Sequence, residues 1–218
     1  MKTTILFDLD GTLIDSTDAI LESFGFAFDS FGQSVPDDEL IKAQIGYTLE
    51  DIFTSLGVDS GRVADFVAAY KSRYREISSE KTYLIENAKE AIELASEFAA
   101  LGIVTTKTSR YSKELLEHLG VMSYFEVLIG REDVENVKPH PEPIFKALDK
   151  MGRNDAFFKQ NSWMIGDTFL DVNAAKNAGI KHVALMTGYG DKNHLQALSD
   201  IFSKDAFEAV KIIKNNYL

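Results

Sequence analysis

The chain begins MKTTILFDLDGTLIDST, and its first apolar run, Ile5-Leu6-Phe7, stops at Asp8, with Asp10 two residues further on. A run this short, rich in β formers and flanked by polar residues, predicts a strand rather than a helix. The same form recurs at residues 102–105, 125–129, 162–165 and 182–185, and helical spacing fills stretches between them, at 113–119 and 172–178. Strands alternating with helices predict an α/β fold with a Rossmann-like parallel sheet covered on both faces. Gly120 and Gly179 follow two of the helices where a left-handed cap is expected.

Between the first strand and the second the pattern changes. Leu40, Ile41 and Ile45, then Val63, Phe66, Val67, Tyr70 and Tyr74, recur at helical spacing, and no strand is evident. Gly32, Pro36, Gly46, Gly57 and Gly61 divide this stretch into about four helices. The expected organisation is an α/β core domain of residues 1–17 and 80–218, with a helical domain of residues 18–79 inserted after the first strand. The chain should return to the sheet through a helix over 87–100 and close with an amphipathic helix over 205–215.

The 218 residues, 45% of them hydrophobic, suffice for a full core. A formal charge of −11 repels polyanions and supplies no basic stripe, so no nucleic-acid partner is expected. An anionic substrate must be met by a few local cations or a metal. Cysteine is absent, which excludes disulfides and thiol chemistry. The apolar stretch before Asp8 is too short for a signal peptide and no apolar run approaches 18 residues, so no membrane partner and a cytoplasmic location are expected.

In open α/β sheets ligands sit beyond the carboxyl ends of the strands. The first strand exits at Asp8 and Asp10, the second at Thr105, Thr106 and Lys107, and the strand around Trp163 at Gly166 and Asp167, with Asp171 four residues later. The loop after Ile129 carries Lys138 in VKPHPEP, where three prolines stiffen the chain. Any one of these residues alone reads as a cap, a turn or a solvated charge. Together, carboxylates gathered at one edge raise one another's pKa and need a positive partner. Mg²⁺ suits them, as a hard cation taking one or two carboxylates with phosphate and water, and Lys138 would supply the remaining fixed charge.

DLDGTL at 8–13, the run ending in Thr105, Lys138 in KPHPEP and GDTFLD at 166–171 resemble, in order, the four motifs of the haloacid dehalogenase superfamily. The helical insert resembles the cap of its phosphoglycolate phosphatase-like branch. The resemblance implies that Asp8 is the nucleophile and forms an aspartyl phosphate, and that Asp10 is the acid and base. It implies further that Thr105 and Lys138 complete the catalytic set, and that the metal site for Mg²⁺ comprises Asp8, Asp10 (through its backbone carbonyl) and Asp167, with Asp171 supporting the metal's waters or Lys138. Gly11, Thr106 and Lys107 are assigned to substrate. In the cap the turn Gly46-Tyr47-Thr48 is the candidate substrate loop, whereas Arg73 and Arg75 read as solvated.

Departures narrow the expectation. Asp10 is retained where true dehalogenases replace it, which favours phosphate chemistry. A cap histidine expected in β-phosphoglucomutase-like enzymes is Ile20 here, which disfavours a mutase, and the branch's usual Thr-Asn-Lys reads Thr105-Thr106-Lys107. Gly188-Tyr189-Gly190 lacks the spacing of a nucleotide loop, and the four histidines show no metal-ligand spacing. The implied function is a Mg²⁺-dependent phosphatase acting on a small phosphorylated metabolite, phosphoglycolate first, with inorganic pyrophosphate or a sugar phosphate as alternatives. A non-catalytic phospho-ligand binding or regulatory module is the alternative of a different class. A monomer or homodimer is expected.

Overall fold

Each apolar run identified in the sequence lies in a strand. The structure is a computed structural model describing residues 3–216; Met1, Lys2, Tyr217 and Leu218, at the ends of the expected core domain, lie outside the described residues. In chain order the elements are β1 (Thr3–Phe7), β2 (Ile14–Asp15), α1 (Thr17–Ser30), α2 (Asp38–Lys42), α3 (Leu49–Ser55), α4 (Val63–Ile77), β3 (Tyr83–Leu84), α5 (Ala88–Ser96), β4 (Ala99–Val104), α6 (Ser109–His118), β5 (Phe125–Ile129), α7 (Glu142–Lys150), α8 (Ala156–Gln160), β6 (Ser162–Gly166), α9 (Phe169–Ala178), β7 (Lys181–Leu185), α10 (Lys192–Leu198), β8 (Phe202–Ser203) and α11 (Ala206–Asn215). The chain divides into two units, Met1–Asp15 with Leu84–Leu218, and Ser16–Tyr83.

The first unit is built on a parallel sheet with strand order β5-β4-β1-β6-β7-β8. Successive side chains of a strand point to opposite faces, and β1 feeds two cores accordingly. Ile5 and Phe7 join Ile92, Leu101, Ile103, Trp163, Ile165, Val210 and Ile213 on one face. Leu6 joins Val104, Ile129, Ile144, Leu148 and Met164 on the other. Truncating such a side chain, as in Ile5→Ala, costs about 2–5 kcal/mol. The chain fills the sheet outward from β1 through β4 to β5 and then crosses to β6 on the opposite side. Strand order therefore reverses between β1 and β6, where an open α/β sheet leaves its ligand crevice.

One boundary differs from expectation. The helix expected over 87–100 ends at Ser96, and Ala99 and Ala100 already belong to β4. Alanine is a strong helix former in isolation, but both residues are buried against β1, pairing with Thr3 and Thr4, and sheet pairing overrides propensity. Gly120 and Gly179 do have positive φ, 73° and 71°.

The second unit packs α1 to α4 around aromatic side chains. Phe24 lies 4.8 Å from Phe53 and from Tyr70, and Phe28 lies 5.3 Å from Phe66, centroid to centroid. Glu22 of α1 pairs with Arg73 of α4 and with Lys81. None of the described helices is long and apolar enough to cross a membrane.

Candidate active site

β1 ends at Phe7, and the Asp8 N–H donates to the Ile165 carbonyl of β6 at 2.9 Å, which fixes Asp8 beside the reversal point. The loop then doubles back: the N–H groups of Leu13 and Ile14 donate to the Leu9 carbonyl at 2.8 and 3.1 Å. Gly11 makes the turn with φ 81°, and a Cβ at that position would collide with the Asp167 carboxylate, so glycine alone suits it. The next residue, Thr12, donates its hydroxyl to Asp167 Oδ1 at 2.9 Å. The DLDGT segment thus reaches across to the end of β6.

Asp167 follows β6 directly, and Thr168 caps α9. Thr168 donates its N–H and its hydroxyl to Asp171 Oδ2, at 3.0 and 2.7 Å, in a reciprocal capping box. Asp171 Oδ1 is left for Lys138, whose Nζ lies 2.6 Å away. Lys138 Nζ is also 2.9 Å from Asp8 Oδ1 and donates to the Val104 carbonyl at 3.0 Å. Its hydrogen bonds go to Asp171 and the Val104 carbonyl, while Asp8 Oδ1, paired with it in charge, is buried without a hydrogen-bond partner.

Asp8, Asp167 and Asp171 each offer a carboxylate oxygen, and those oxygens lie within 4.8 Å of one another, all buried. One buried ammonium faces three acids. Burial would weaken the hold of Lys138 on its proton, but Asp171 and Asp8 outweigh it and keep the ammonium well above its ordinary pKa. Burial pushes the Asp8 carboxyl up to about 6; Lys138 opposes the shift and Asp171 adds to it. Burial, then the neighbouring Asp171 and Asp8, drive Asp167 well above the carboxylate range, although Tyr189 N–H and the Thr12 hydroxyl stabilise its charged form. The cluster is short of positive charge, and its hard oxygen donors fit a divalent cation such as Mg²⁺.

A second pair lies at the same strand ends. Lys107 Nζ sits 2.9 and 3.1 Å from the two oxygens of Asp10, and each side chain is 13% exposed. Thr105 directly follows β4 with its N–H on the Ile129 carbonyl at 3.0 Å, and its hydroxyl accepts the Lys107 N–H at 3.2 Å. Thr106 lies between them, half-buried. The structure therefore gathers Asp8, Asp167, Asp171 and Lys138 in one cluster, with Gly11 against Asp167 and Lys107 against Asp10.

Gly46, Tyr47 and Thr48 belong to the second unit, in the turn between α2 and α3. Thr48 is the N-cap of α3; its hydroxyl accepts the Asp51 N–H at 3.2 Å and donates to Asp51 Oδ2 at 2.6 Å, while Tyr47 is exposed. Arg73, read as solvated, is held by Glu22 and Glu76.

One segment was passed over in the sequence. Gly188-Tyr189-Gly190 carries no nucleotide signature, yet the Tyr189 N–H donates to Asp167 Oδ2 at 2.8 Å. Gly188 has φ 87°, and a Cβ on it would strike the same carboxylate. Its position just past β7, at another carboxyl end of the sheet, was the available signal.

The haloacid dehalogenase-like hydrolase family model matches residues 5–185, the span that holds Asp8, Asp10, Lys107, Lys138, Asp167 and Asp171. The chain belongs to the haloacid dehalogenase-like hydrolases. Pyrophosphatase PpaX of Bacillus cereus strain B4264 is 30% identical over 214 residues, 98% of this chain and 96% of its own length. PpaX of Halalkalibacterium halodurans is 35% identical over 179 residues, 82% of this chain and 80% of its own. Among solved structures, the haloacid dehalogenase-like hydrolase SP0104 of Streptococcus pneumoniae has a TM-score of 0.86 at 26% identity, covering 96% of this chain and 97% of that one. As a member of this family with phosphatase relatives, this dehalogenase-like hydrolase is a phosphatase.

Proposed function

We propose that the chain is a Mg²⁺-dependent phosphatase that removes phosphate from a small phosphorylated metabolite through an aspartyl phosphate at Asp8. The observation that carries this reading is the buried set of Asp8, Asp167, Asp171 and Lys138 at the reversal point of the sheet, with Asp10 two residues after Asp8. Asp8, the Asp10 backbone carbonyl and Asp167 would hold the metal. Both Asp171 oxygens are engaged by Lys138 and Thr168, so Asp171 would act by orienting Lys138 or the metal's waters. When bound, Mg²⁺ supplies charge to balance the carboxylates and the phosphoryl oxygens.

In the first step an Asp8 oxygen forms a bond to phosphorus while the bond to the leaving oxygen breaks, and the departing electron pair takes a proton from Asp10. In the second, water attacks the phosphorus of the aspartyl phosphate, its proton passes to Asp10, and the bond to Asp8 breaks to release phosphate. Lys138 holds Asp8 in line and offsets charge. Thr105, Thr106 and the N–H groups near Gly11 would hold phosphoryl oxygens. Positioning and electrostatics carry such transfers.

Phosphoglycolate and inorganic pyrophosphate are the substrates to test first; the second is favoured by the PpaX relatives. Phosphate release across a panel of phosphorylated metabolites, with and without Mg²⁺, checks the reading. Turnover that requires Mg²⁺ is expected, and silence across the panel would instead favour a binding or regulatory module.

A further inference from the structure

The site has two lysines, and they differ in kind. Lys138 is buried, donating to Asp171 and the Val104 carbonyl and paired in charge with Asp8, so it acts as internal charge balance. Lys107 is partly exposed and bridges both oxygens of Asp10. Its backbone is clamped: the Arg131 N–H donates to the Lys107 carbonyl at 3.0 Å, and Glu132 receives the Ser109 N–H and hydroxyl, both at 2.8 Å, fixing the start of α6 two residues on. A cation is thus held ready beside the proton donor. The chain as a whole carries a formal −11, so an anion meets attraction only at such local points.

We propose that Lys107 makes the site selective for phosphates whose leaving group is itself an anion. The inference rests on the role of Asp10 given above, because whatever takes a proton from Asp10 departs next to the Lys107 ammonium. A second phosphate or a carboxylate on the leaving side gains an ion pair together with a hydrogen bond there, whereas an uncharged hydroxyl can accept a hydrogen bond from the ammonium but gains no attraction between opposite charges. The shared chemistry covers pyrophosphate, whose leaving group is phosphate, and 2-phosphoglycolate, whose leaving group is glycolate. It disfavours sugar phosphates with neutral leaving alcohols.

The test compares kcat/KM on pyrophosphate, 2-phosphoglycolate and 2-hydroxyethyl phosphate, the last being a neutral counterpart of the second, for the full chain with Mg²⁺. Wild type should favour at least one anionic-leaving-group substrate over 2-hydroxyethyl phosphate. Lys107→Met should lose about 10- to 100-fold more on that substrate than on the neutral one, and Lys107→Arg should recover most of the difference. The arm that shows the selective loss tells the two anions apart. An equal loss on all three substrates, with unchanged circular dichroism, would reduce Lys107 to a positioner of Asp10 and overturn the proposal. So would a wild type that prefers the neutral substrate. Loss of all phosphate release in wild type would sink the phosphatase reading of the site itself, a result distinct from an unselective one.

Discussion

Two clusters of charged side chains sit in the two units, and they are built on opposite terms. In the helical unit Glu22 faces Arg73 and Lys81, all partly open to solvent, with cations outnumbering the acid they share. Hydrogen bonds from Lys81 and Arg73 lower the Glu22 pKa, so every member is content in its charged form. In the sheet unit one lysine faces three carboxylates, all buried, and two of the acids are pushed up. Solvent would have relieved that imbalance at the surface. Burial without compensation creates a demand for a further cation, and that demand distinguishes a site from a salt-bridge network.

The largest effect that could break this contrast is on Asp8. Asp8→Asn should reduce phosphate release by at least about 10⁴-fold while leaving the fold intact, since it replaces the nucleophilic carboxylate with a neutral amide and so also removes one of the crowded charges. Near-normal turnover in that variant would make the buried cluster structural. Asp10→Asn should lose about 10²–10⁴-fold, and the loss should be greater on an alkyl phosphate than on an activated aryl phosphate, which leaves without help from an acid. Equal losses on the two would remove its acid role.

The next effect is thermodynamic. The folded-state pKa of Asp8, about 6, lies above the 3.8 of a free aspartate side chain. Without metal, the native state therefore binds more protons than the unfolded chain between those values. The stability that Asp8 contributes is fully present below about 3.8 and is lost as pH rises through about 6, by on the order of 3 kcal/mol. Mg²⁺ should restore it, so the rise in Tm on adding Mg²⁺ should be larger at pH 7.5 than at pH 5, because protons compete for the same oxygens. Scanning calorimetry of wild type and Asp8→Asn with and without Mg²⁺ checks this. A pH-independent Mg²⁺ effect, unchanged in the variant, would contradict it. The smallest effect belongs to the other cluster: Arg73→Ala should cost no more than about 1 kcal/mol by denaturant unfolding and leave kcat unaltered.

How legible all this was in the residues follows the same division. Ile5-Leu6-Phe7 followed by Asp8 announced both a buried strand and a polar exit, because a strand's burial and its end are local properties. The joint appearance of Thr105, Lys138, Asp167 and Asp171 at later strand ends was legible for the same reason. The start of β4 at Ala99 was not, since alanine's local preference is helical and only pairing with β1 decides otherwise. The clamp of Tyr189 on Asp167 and the pairing of Lys107 with Asp10 join residues 22 and 97 positions apart, which no local pattern encodes. The capping box of Asp171 with Thr168 was locally legible, since a threonine three residues ahead of an acid at a helix start is its signal, whereas the bond from Lys138 to the other Asp171 oxygen spans 33 positions.

The measurement that reaches the centre of the account is chemical trapping of the enzyme during turnover. Rapid quench with a substrate that it hydrolyses, borohydride reduction of any acyl phosphate to the alcohol, and peptide mapping would identify the modified side chain. The account predicts reduction at Asp8 alone, dependent on both substrate and Mg²⁺. Steady phosphate release with no trapped carboxylate, or with the label on Asp10, would contradict it.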